Sequence, residues 1–166
     1  MGEITERFDS NRKAVAATKR IKGDIPYYGA VGVQGYIDGY THDGEYLLIA
    51  EDGASSMLDY PVRVTSGKIW VNNHAHVLAG LSNVADNKYL RNKLMTIDMT
   101  PYITGGSRHK LTAGDLDTIK IQLPTLPEQQ KIGQLFKHLD ARISNEQSKI
   151  EQLKAQKQGL LQKMIS

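Results

Sequence analysis

The chain carries the stretch PEQQKIGQLFKHLDARISNEQSKIEQLKAQKQGLLQKMI at residues 127–165, and this stretch determines its architecture. Large apolar residues recur along it at alternating steps of three and four, and most residues between them are polar or charged. A narrow apolar stripe of this period is typical of a coiled-coil helix rather than of a helix on a globular surface. The stripe consists of Ile132, Phe136, Leu139, Ile143, Ile150, Leu153, Leu160 and Met164, with the polar residues Glu146 and Lys157 at two further positions.

The length of this helix predicts that it needs a partner. At 1.5 Å per residue, residues 127–165 would extend about 58 Å. The rest of the chain amounts to one domain of roughly 120 residues, which is too small to cover such a stripe. We therefore expect the stripe to pack against another helix, and we expect this partner to be part of the function.

The composition is that of an ordinary globular protein, with 166 residues, 40% hydrophobic and 23% charged. The absence of cysteine excludes disulfides and thiolate metal sites. No apolar run reaches the length of a membrane span, and the N-terminal MGEITERFDS lacks the apolar core of a signal peptide. We expect a soluble cytoplasmic protein without membrane association.

The formal net charge of +3 conceals a segregation of charge. Residues 124–166 carry all of the excess, with seven Lys and Arg against four Asp and Glu. Within the neutral remainder, residues 7–22 contain six basic residues and one acid, whereas residues 38–59 contain six acids and no Lys or Arg. Two interpretations remain open: one side of the molecule faces a nucleic acid, or the two segments neutralise each other across the fold.

The N-terminal part predicts a β-rich domain, because short runs of β-formers alternate with glycine and aspartate turns. The predicted elements are a buried strand at Tyr46–Ala50, a turn at 51–53, a hairpin of 61–65 and 68–71 about Ser66-Gly67, a strand at 76–78, a helix at 86–95 capped by Asp86, and a half-buried strand at 118–123.

Proline and capping residues mark the junction between the β-rich domain and the long helix. Pro124 ends the last predicted strand, and Thr125-x-x-Glu128 predicts a capping box for the long helix, with Pro127 tolerated in the first turn. The expected fold class is therefore α+β. Residues 1–123 would form the β-rich domain and residues 124–166 the long helix.

Two groups of residues suggest metal or nuclease chemistry. His74 and His76 would share one face of an extended segment, yet no third ligand is evident, and hydrogen-bonding histidines are the alternative. Glu51 and Asp52 with Lys68 suggest a magnesium-dependent nuclease, but the turn role of Asp52-Gly53 is a sufficient explanation. The chain has no P-loop and no G-x-S-x-G elbow. We expect no metal, no cofactor and no catalytic residue.

The segment Gly105–Lys110 is a candidate contact to nucleic acid. Its glycines and serine would let a phosphate approach the backbone, and Arg108 could fork onto a guanine edge. The alternative is a solvated surface loop. Tyr27 and Tyr28 likewise have two interpretations, as base-contacting aromatics or as core and turn residues.

Three blocks together resemble the specificity (S) subunit of Type I restriction–modification systems. The first two are GDIPYYGAVGVQGYIDGYTHDGEYLLIAEDGAS at residues 23–55 and VNNHAHVL at residues 71–78. The third is TGGSRHKLTAGDLDTIKIQLPTLPEQQKIGQLFKHLDARI at residues 104–143, which contains LPxLxEQxxI between a target recognition domain and a helical region. The resemblance extends over nearly the whole chain from Gly23.

The resemblance implies a function. An S subunit resembles two such halves in tandem, so this chain is expected to be a half-subunit with one recognition domain and one helix. The family's recognition domain binds half of a bipartite site in double-stranded DNA. Its helices pack antiparallel and dock the methyltransferase (M) subunits, which bring in the restriction (R) subunit. The S subunit has no catalysis, and this chain has no N/D-P-P-Y/F motif. A protein-interaction scaffold without DNA is the alternative, followed by a metal-dependent nuclease.

Two sets of residues follow as expectations. The predicted DNA contacts are Arg12, Lys13, Lys19, Arg20, Tyr27, Tyr28, Ser55, Ser56, Gly105, Gly106, Ser107, Arg108, His109 and Lys110. The predicted interface of an antiparallel homodimer consists of Leu139, Ile143, Glu146, Ile150, Leu153, Lys157, Leu160 and Met164. A parallel pair would place each polar residue opposite itself, whereas an antiparallel pair brings Glu146 to Lys157. Ile132 and Phe136 are then expected to pack on their own domain.

Overall fold

The structure is a computed structural model that describes residues 1–105 and 109–165. It divides into one unit at Met1–Gly133 and a second from Gln134 onward. The strands are β1 Thr5–Arg7, β2 Ile25–Tyr28, β3 Val33–Ile37, β4 His42–Asp43, β5 Tyr46–Ala50, β6 Val62–Thr65, β7 Lys68–Val71 and β8 Ala75–Gly80. The helices are α1 Asn87–Leu94, α2 Ala113–Thr118 and α3 Leu126–Ile165, with short 3-10 turns at Asp9–Asn11, Ala17–Lys19 and Thr100–Tyr102. The α+β class is confirmed.

The strands form two four-stranded sheets. In the first sheet the order is β1-β8-β5-β6, and every neighbouring pair is antiparallel. In the second sheet the order is β3-β2-β7-β4, and β2 runs parallel to β7 while the other pairs are antiparallel. Strand β5 is central in the first sheet, which agrees with its uninterrupted apolar sequence.

The predicted strand at Tyr46–Ala50 is confirmed, and both of its faces are buried. Leu47 and Ile49 contribute to the main core, which also includes apolar residues of α1 and α2. Leu48 belongs instead to a second cluster with Ile69 and Val77, between the two sheets. A strand that faces two cores has no solvent side, so its sequence does not alternate.

The hairpin predicted about Ser66-Gly67 is wrong, although both of its strands are correct. Gly67 has the positive φ of +77° that suits a turn. The turn, however, carries the chain from one sheet to the other: β6 pairs with β5, whereas β7 pairs with β2 and β4. Local turn chemistry predicts a reversal of the chain, but the partner of each strand is set by the core that its apolar side chains join.

The strand predicted at 118–123 is also wrong. Helix α2 ends at Thr118, and residues 119–125 run on without a ladder partner. The alternation itself is real, since Ile119 is buried and Ile121 is half-buried against the main core. Its carbonyls find other donors: the N-terminal amine of Met1 bonds to Ile119, and the Tyr89 hydroxyl donates to the Gln122 carbonyl at 3.1 Å. Alternating burial therefore did not require a sheet.

Both predicted helix caps are present. The Asp86 carboxylate accepts the Tyr89 N–H at 2.9 Å and opens α1, as expected. The Glu128 carboxylate accepts the Thr125 N–H at 3.0 Å and the Thr125 hydroxyl at 2.6 Å. This is the backward half of a capping box, and it starts α3 at Leu126.

Gln129 fixes the start of α3 against the β-rich unit. Its side chain is 1% exposed. The amide oxygen accepts the Asp86 N–H at 3.0 Å, while the amide nitrogen donates to the Val84 carbonyl at 3.0 Å and the Pro124 carbonyl at 2.9 Å. Ile132 packs on the main core, as expected, whereas Phe136, which was expected to do the same, is 43% exposed. The LPxLxEQxxI motif thus combines a cap, a buried amide and an apolar anchor.

Helix α3 contains 40 residues. In the described part of the chain, no helix is long and apolar enough to cross a membrane.

Candidate nucleic-acid interface

Several loops meet at one end of the first sheet. Glu51, just after β5, donates its N–H to the His74 carbonyl at 2.9 Å, and its carbonyl accepts the Leu111 N–H at 2.8 Å. On the other side, the Asn72 N–H donates to the Tyr28 carbonyl at 3.0 Å. These bonds join segments that are distant in sequence. We call them together the loop rim, which comprises residues 28–32, 51–56, 72–74, 104–105 and 109–110.

Three residues of the predicted contact segment, Gly105, His109 and Lys110, belong to this rim. The N–H groups of Thr104 and Lys110 each donate to the other residue's carbonyl at 2.9 Å, which closes the loop. Gly105 has a φ of +90°, a conformation that favours glycine. His109 is exposed, and the Lys110 ammonium lies 2.9 Å from a Glu51 carboxylate oxygen. The predicted contacts Gly106, Ser107 and Arg108 lie outside the described residues.

Arg12 lies beside the same rim but is already paired. Its guanidinium contacts the Glu51 carboxylate at 2.6 Å and donates to the Ala75 carbonyl at 2.9 Å. Its side chain is 16% exposed. For this pair, the basic and acidic segments neutralise each other across the fold, which was one of the two interpretations of their charge.

The rest of the basic segment, residues 13–22, runs over the second sheet, and we call it the basic arm. The Lys13 N–H donates to the Val71 carbonyl at 2.9 Å, and the Trp70 indole donates to the Lys13 carbonyl at 2.7 Å. Both bonds involve backbone atoms of the arm, so the lysine ammonium groups of the arm take no part in them. Lys13, Lys19 and Lys22 are exposed, and none of them has an ion-pair partner among the described residues.

Tyr27 and Tyr28 point to opposite faces of the second sheet. Tyr27 is 1% exposed beneath the arm: the Arg20 guanidinium lies 3.8 Å from the ring centroid, and the Val15 N–H donates to its hydroxyl at 3.0 Å. Tyr28 is half-buried. Burial raises the pKa of Tyr28, and the nearby charge of Arg63 opposes this shift only in part. The Tyr28 phenol therefore remains a hydrogen-bond donor at neutral pH.

Ser55 and Ser56 follow the acidic part of the rim. The Ser56 hydroxyl oxygen accepts the N–H groups of Leu58 and Asp59 at 3.3 and 3.0 Å, so it closes a turn. Ser55 is exposed. Ser56 thus shapes the loop, and Ser55 is the serine whose side chain faces solvent.

The structure therefore divides the predicted contacts into two groups. One group lies on the loop rim or beside it: Arg12, Tyr28, Ser55, Ser56, Gly105, His109 and Lys110. The other consists of the arm residues Lys13, Lys19 and Arg20, with Tyr27 buried beneath them.

Arg63 is a candidate that the sequence analysis missed. It stands on β6 between the inward-facing residues Val62 and Val64. Its guanidinium donates two hydrogen bonds, at 3.1 and 2.7 Å, to the carbonyl of Val31 in the rim. The available signal was the V-R-V alternation, which places a cation on the outer face of a strand.

The two histidines considered for metal binding have protein partners. His74 contacts the Asp52 carboxylate at 2.9 Å, and His76 contacts Asp9 at 2.7 Å and the Leu111 carbonyl at 2.8 Å. Among residues 1–105 and 109–165, no group of three or more His, Asp or Glu side chains is arranged to hold a metal ion.

The apolar stripe of α3 is exposed within the single chain. The six apolar residues of the predicted interface are between 41% and 81% exposed: Leu139, Ile143, Ile150, Leu153, Leu160 and Met164. Glu146 pairs with Lys149 at 2.8 Å along the helix, and Glu151 pairs with Lys154 at 2.8 Å. Leu135 and Leu161 widen the apolar surface beyond the predicted stripe.

A protein-family profile matches most of the chain. The profile described as "Type I restriction modification DNA specificity domain" matches residues 1–155. A putative type I restriction enzyme specificity subunit of Haemophilus influenzae is 39% identical over 144 residues, which cover 87% of this chain and 37% of that protein. The EcoprrI specificity subunit of Escherichia coli is 25% identical over 130 residues, covering 78% of this chain and 31% of that one. The chain thus spans about a third of the length of these relatives.

The fold also matches a solved structure. The S subunit of a Type I restriction–modification system from M. genitalium superposes with a TM-score of 0.65 at 17% identity, over 85% of this chain and 40% of that one. The similarity at this identity concerns the fold alone.

Proposed function

The chain belongs to the family of Type I restriction modification DNA specificity domains, and from this premise we propose that it reads one half of a bipartite DNA site. The observation that carries the proposal is the loop rim, in which backbone hydrogen bonds join the segments that carry Tyr28, Ser55 and Lys110. Loops held on a scaffold are the usual place for side chains that contact a ligand.

The rim and the basic arm would have different tasks. Lys13, Lys19 and Lys22 are exposed and unpaired among the described residues, so they suit phosphate contacts, which position a protein on DNA but carry no sequence information. The rim offers hydrogen-bond donors, namely the Ser55 hydroxyl and the phenol of Tyr28, whose ring packs partly on the cluster between the sheets, and such donors suit base edges. We propose Gly106, Ser107 and Arg108 as further DNA contacts from their sequence alone.

The exposed stripe of α3 supports pairing of two copies. We infer an antiparallel pair centred near Glu151 and Gln152, in which Ile150 faces Leu153 and Glu146 faces Lys157. The same register sets Ile143 against Leu160 and Leu139 against Met164. Two copies related by a two-fold axis would present two recognition units to DNA and would require an inverted-repeat target.

The proposed assembly includes catalytic partners. Methyltransferase subunits would dock on the paired helices, and the restriction subunit would join through them, so this chain contributes specificity and no chemistry. We place the assembly in the cytoplasm.

Binding to DNA at several salt concentrations tests the proposal. The chain, combined with its methyltransferase subunits, should bind a pool of random duplexes with log K falling linearly against log salt, because lysines displace counterions. It should bind a subset of sequences selected from that pool more tightly. Equal affinity for all duplexes would contradict DNA reading.

A further inference from the structure

Glu51 is the centre of an ion network that joins the basic segment to the loop rim. One carboxylate oxygen contacts the Arg12 guanidinium at 2.6 Å, and the other contacts the Lys110 ammonium at 2.9 Å. The Glu51 side chain is 13% exposed, whereas the Lys110 side chain is 51% exposed. A single carboxylate thus holds two of the cations that were predicted to contact DNA.

The backbone of Glu51 joins the same segments. Its N–H bonds to His74 and its carbonyl bonds to Leu111, the residue that follows Lys110. Both the peptide group and the side chain of Glu51 therefore determine where the end of the 104–110 loop lies. Loss of the side-chain contacts alone would leave the backbone bonds in place.

A second, deeper layer supports Glu51. His76 is 2% exposed, and each of its ring nitrogens faces an acceptor: the Asp9 carboxylate at 2.7 Å and the Leu111 carbonyl at 2.8 Å. Its Nδ1 lies 3.9 Å from a Glu51 carboxylate oxygen, so the buried ring packs directly behind the carboxylate.

These contacts keep Glu51 ionised. Burial by itself raises the pKa of Glu51, but the hydrogen bonds from Lys110 and Arg12 outweigh burial and hold the pKa below its ordinary value. A charged carboxylate on a rim that faces DNA would repel phosphate. Its presence there therefore indicates a role other than direct contact with the DNA backbone.

We propose that Glu51 is a positioning residue for DNA recognition, which orients Lys110 and restrains two cations from binding phosphates indiscriminately. This inference rests on the proposed function. Glu51 occupies the place that a phosphate oxygen would take beside Arg12, while the half-exposed Lys110 keeps donors free for DNA. Because Glu51 holds Arg12 and Lys110 in fixed positions, these cations can contact DNA in only one geometry. This restriction favours a duplex of the preferred sequence over a random duplex.

The substitution Glu51→Gln tests this role, because it keeps the size of the side chain and removes its charge. Freed cations should raise affinity for random duplexes and steepen the plot of log K against log salt by roughly one to two units. Loss of positioning should lower affinity for a preferred duplex selected with the parent complex. The preference of preferred over random duplex should fall about tenfold or more, which corresponds to about 1.4 kcal/mol.

Glu45→Gln is the matched control. Glu45 precedes the opposite end of the same strand and pairs with Lys88 at 2.8 Å, so the same charge is lost away from the rim. This variant should keep the preference and the salt slope of the parent. Glu51→Asp is a second variant that retains the charge: it should keep the salt slope of the parent, because the two cations stay neutralised.

The measurement uses the chain in complex with its methyltransferase subunits and includes thermal midpoints for all variants. A lower preference with a steeper salt slope in Glu51→Gln alone supports positioning. An unchanged preference in Glu51→Gln overturns it. So does a loss of preference in both Gln variants that follows the fall in their thermal midpoints. If Glu51→Gln does not fold, a salt slope in Glu51→Asp steeper than that of the parent overturns the proposal, and an unchanged slope supports it. A parent complex without any sequence preference contradicts the proposed function instead.

Discussion

Gln129 shows how one side chain connects the helix to the rest of the protein. Its amide oxygen and nitrogen serve three backbone groups, and they do so with almost no exposure to water. An amide is the only neutral side-chain group that supplies an acceptor and two donors at one point. The chemistry of the site therefore requires glutamine rather than an apolar residue of equal size.

The substitution Gln129→Glu should strongly destabilise the chain. It would place a carboxylate oxygen against the carbonyls of Val84 and Pro124, where a donor is required. We expect a loss of about 3 kcal/mol in the free energy of unfolding, or roughly 6–12 °C in melting temperature. Gln130→Glu is the control, since Gln130 is exposed on the same helix turn, and it should change stability by less than about 0.5 kcal/mol. Equal melting temperatures of the two variants would show that the buried amide is dispensable.

Stability should fall with acidification in two steps, because three buried groups have lowered pKa values. Burial lowers the pKa of His42, despite its bond to the Phe8 carbonyl. Burial opposes the shifts of Asp9 and Glu51, but hydrogen bonds still lower both pKa values. Asp9 is bonded to His76 and the Val77 N–H, and Glu51 is bonded to Lys110 and Arg12. In each case the unfolded chain binds the proton at a higher pH than the folded chain does. The contribution of the group to the free energy of unfolding is therefore complete above its ordinary pKa, and it is lost as the pH falls through its pKa in the folded chain.

The first step should begin near pH 6.5 and the second near pH 4.5, the ordinary values for histidine and glutamate. Chemical denaturation across pH 3–8 measures both steps. His42→Gln should remove the first step and leave the second. His138→Gln, at an exposed position of α3, should preserve both steps. A first step of full size in His42→Gln would mean that another group causes it.

The elements of secondary structure were largely predictable from the sequence, and their pairings were not. The buried strand β5, the cap of α1 and the long helix follow from apolar runs and capping residues within a few positions. The partners of β6 and β7 depend on which core each strand joins, and that choice is made by residues far away in sequence.

The candidate site was predictable only in part, for a related reason. A basic arm and a glycine-rich loop are visible as composition. The restraint of Arg12 and Lys110 by one carboxylate is not visible, because Glu51 is distant from both in sequence. The sequence therefore predicted which residue types could contact DNA, but not which of them have internal partners.

Charge reversal at the two polar residues of the α3 stripe tests the antiparallel register. Glu146→Lys should weaken dimerisation about tenfold, because the introduced ammonium would then face Lys157 in the antiparallel pair. Adding Lys157→Glu should restore it, since the new pair has opposite charges again. Sedimentation equilibrium measures both effects. Glu151→Lys, which also breaks an (i, i+3) pair but lies off the stripe, should leave the dimer unchanged. If the double variant shows no rescue, the register is wrong.

At the scale of the whole molecule, we propose that a unit which reads DNA is joined to a helix which pairs two copies. The unit at Met1–Gly133 carries the loop rim and the basic arm, and α3 continues beyond it with its apolar residues exposed. Two copies held antiparallel would repeat the same recognition surface about a two-fold axis. The symmetry of the protein would then appear in the DNA target.

Genome-wide mapping of methylation tests this central claim most directly. Cells that express this chain with its methyltransferase subunits, and no other specificity protein, would be sequenced by a method that detects modified bases. We predict methylation at a bipartite inverted repeat, with two identical half-sites separated by a fixed spacer. Methylation at an asymmetric site, or none above the background of cells lacking the chain, would contradict it.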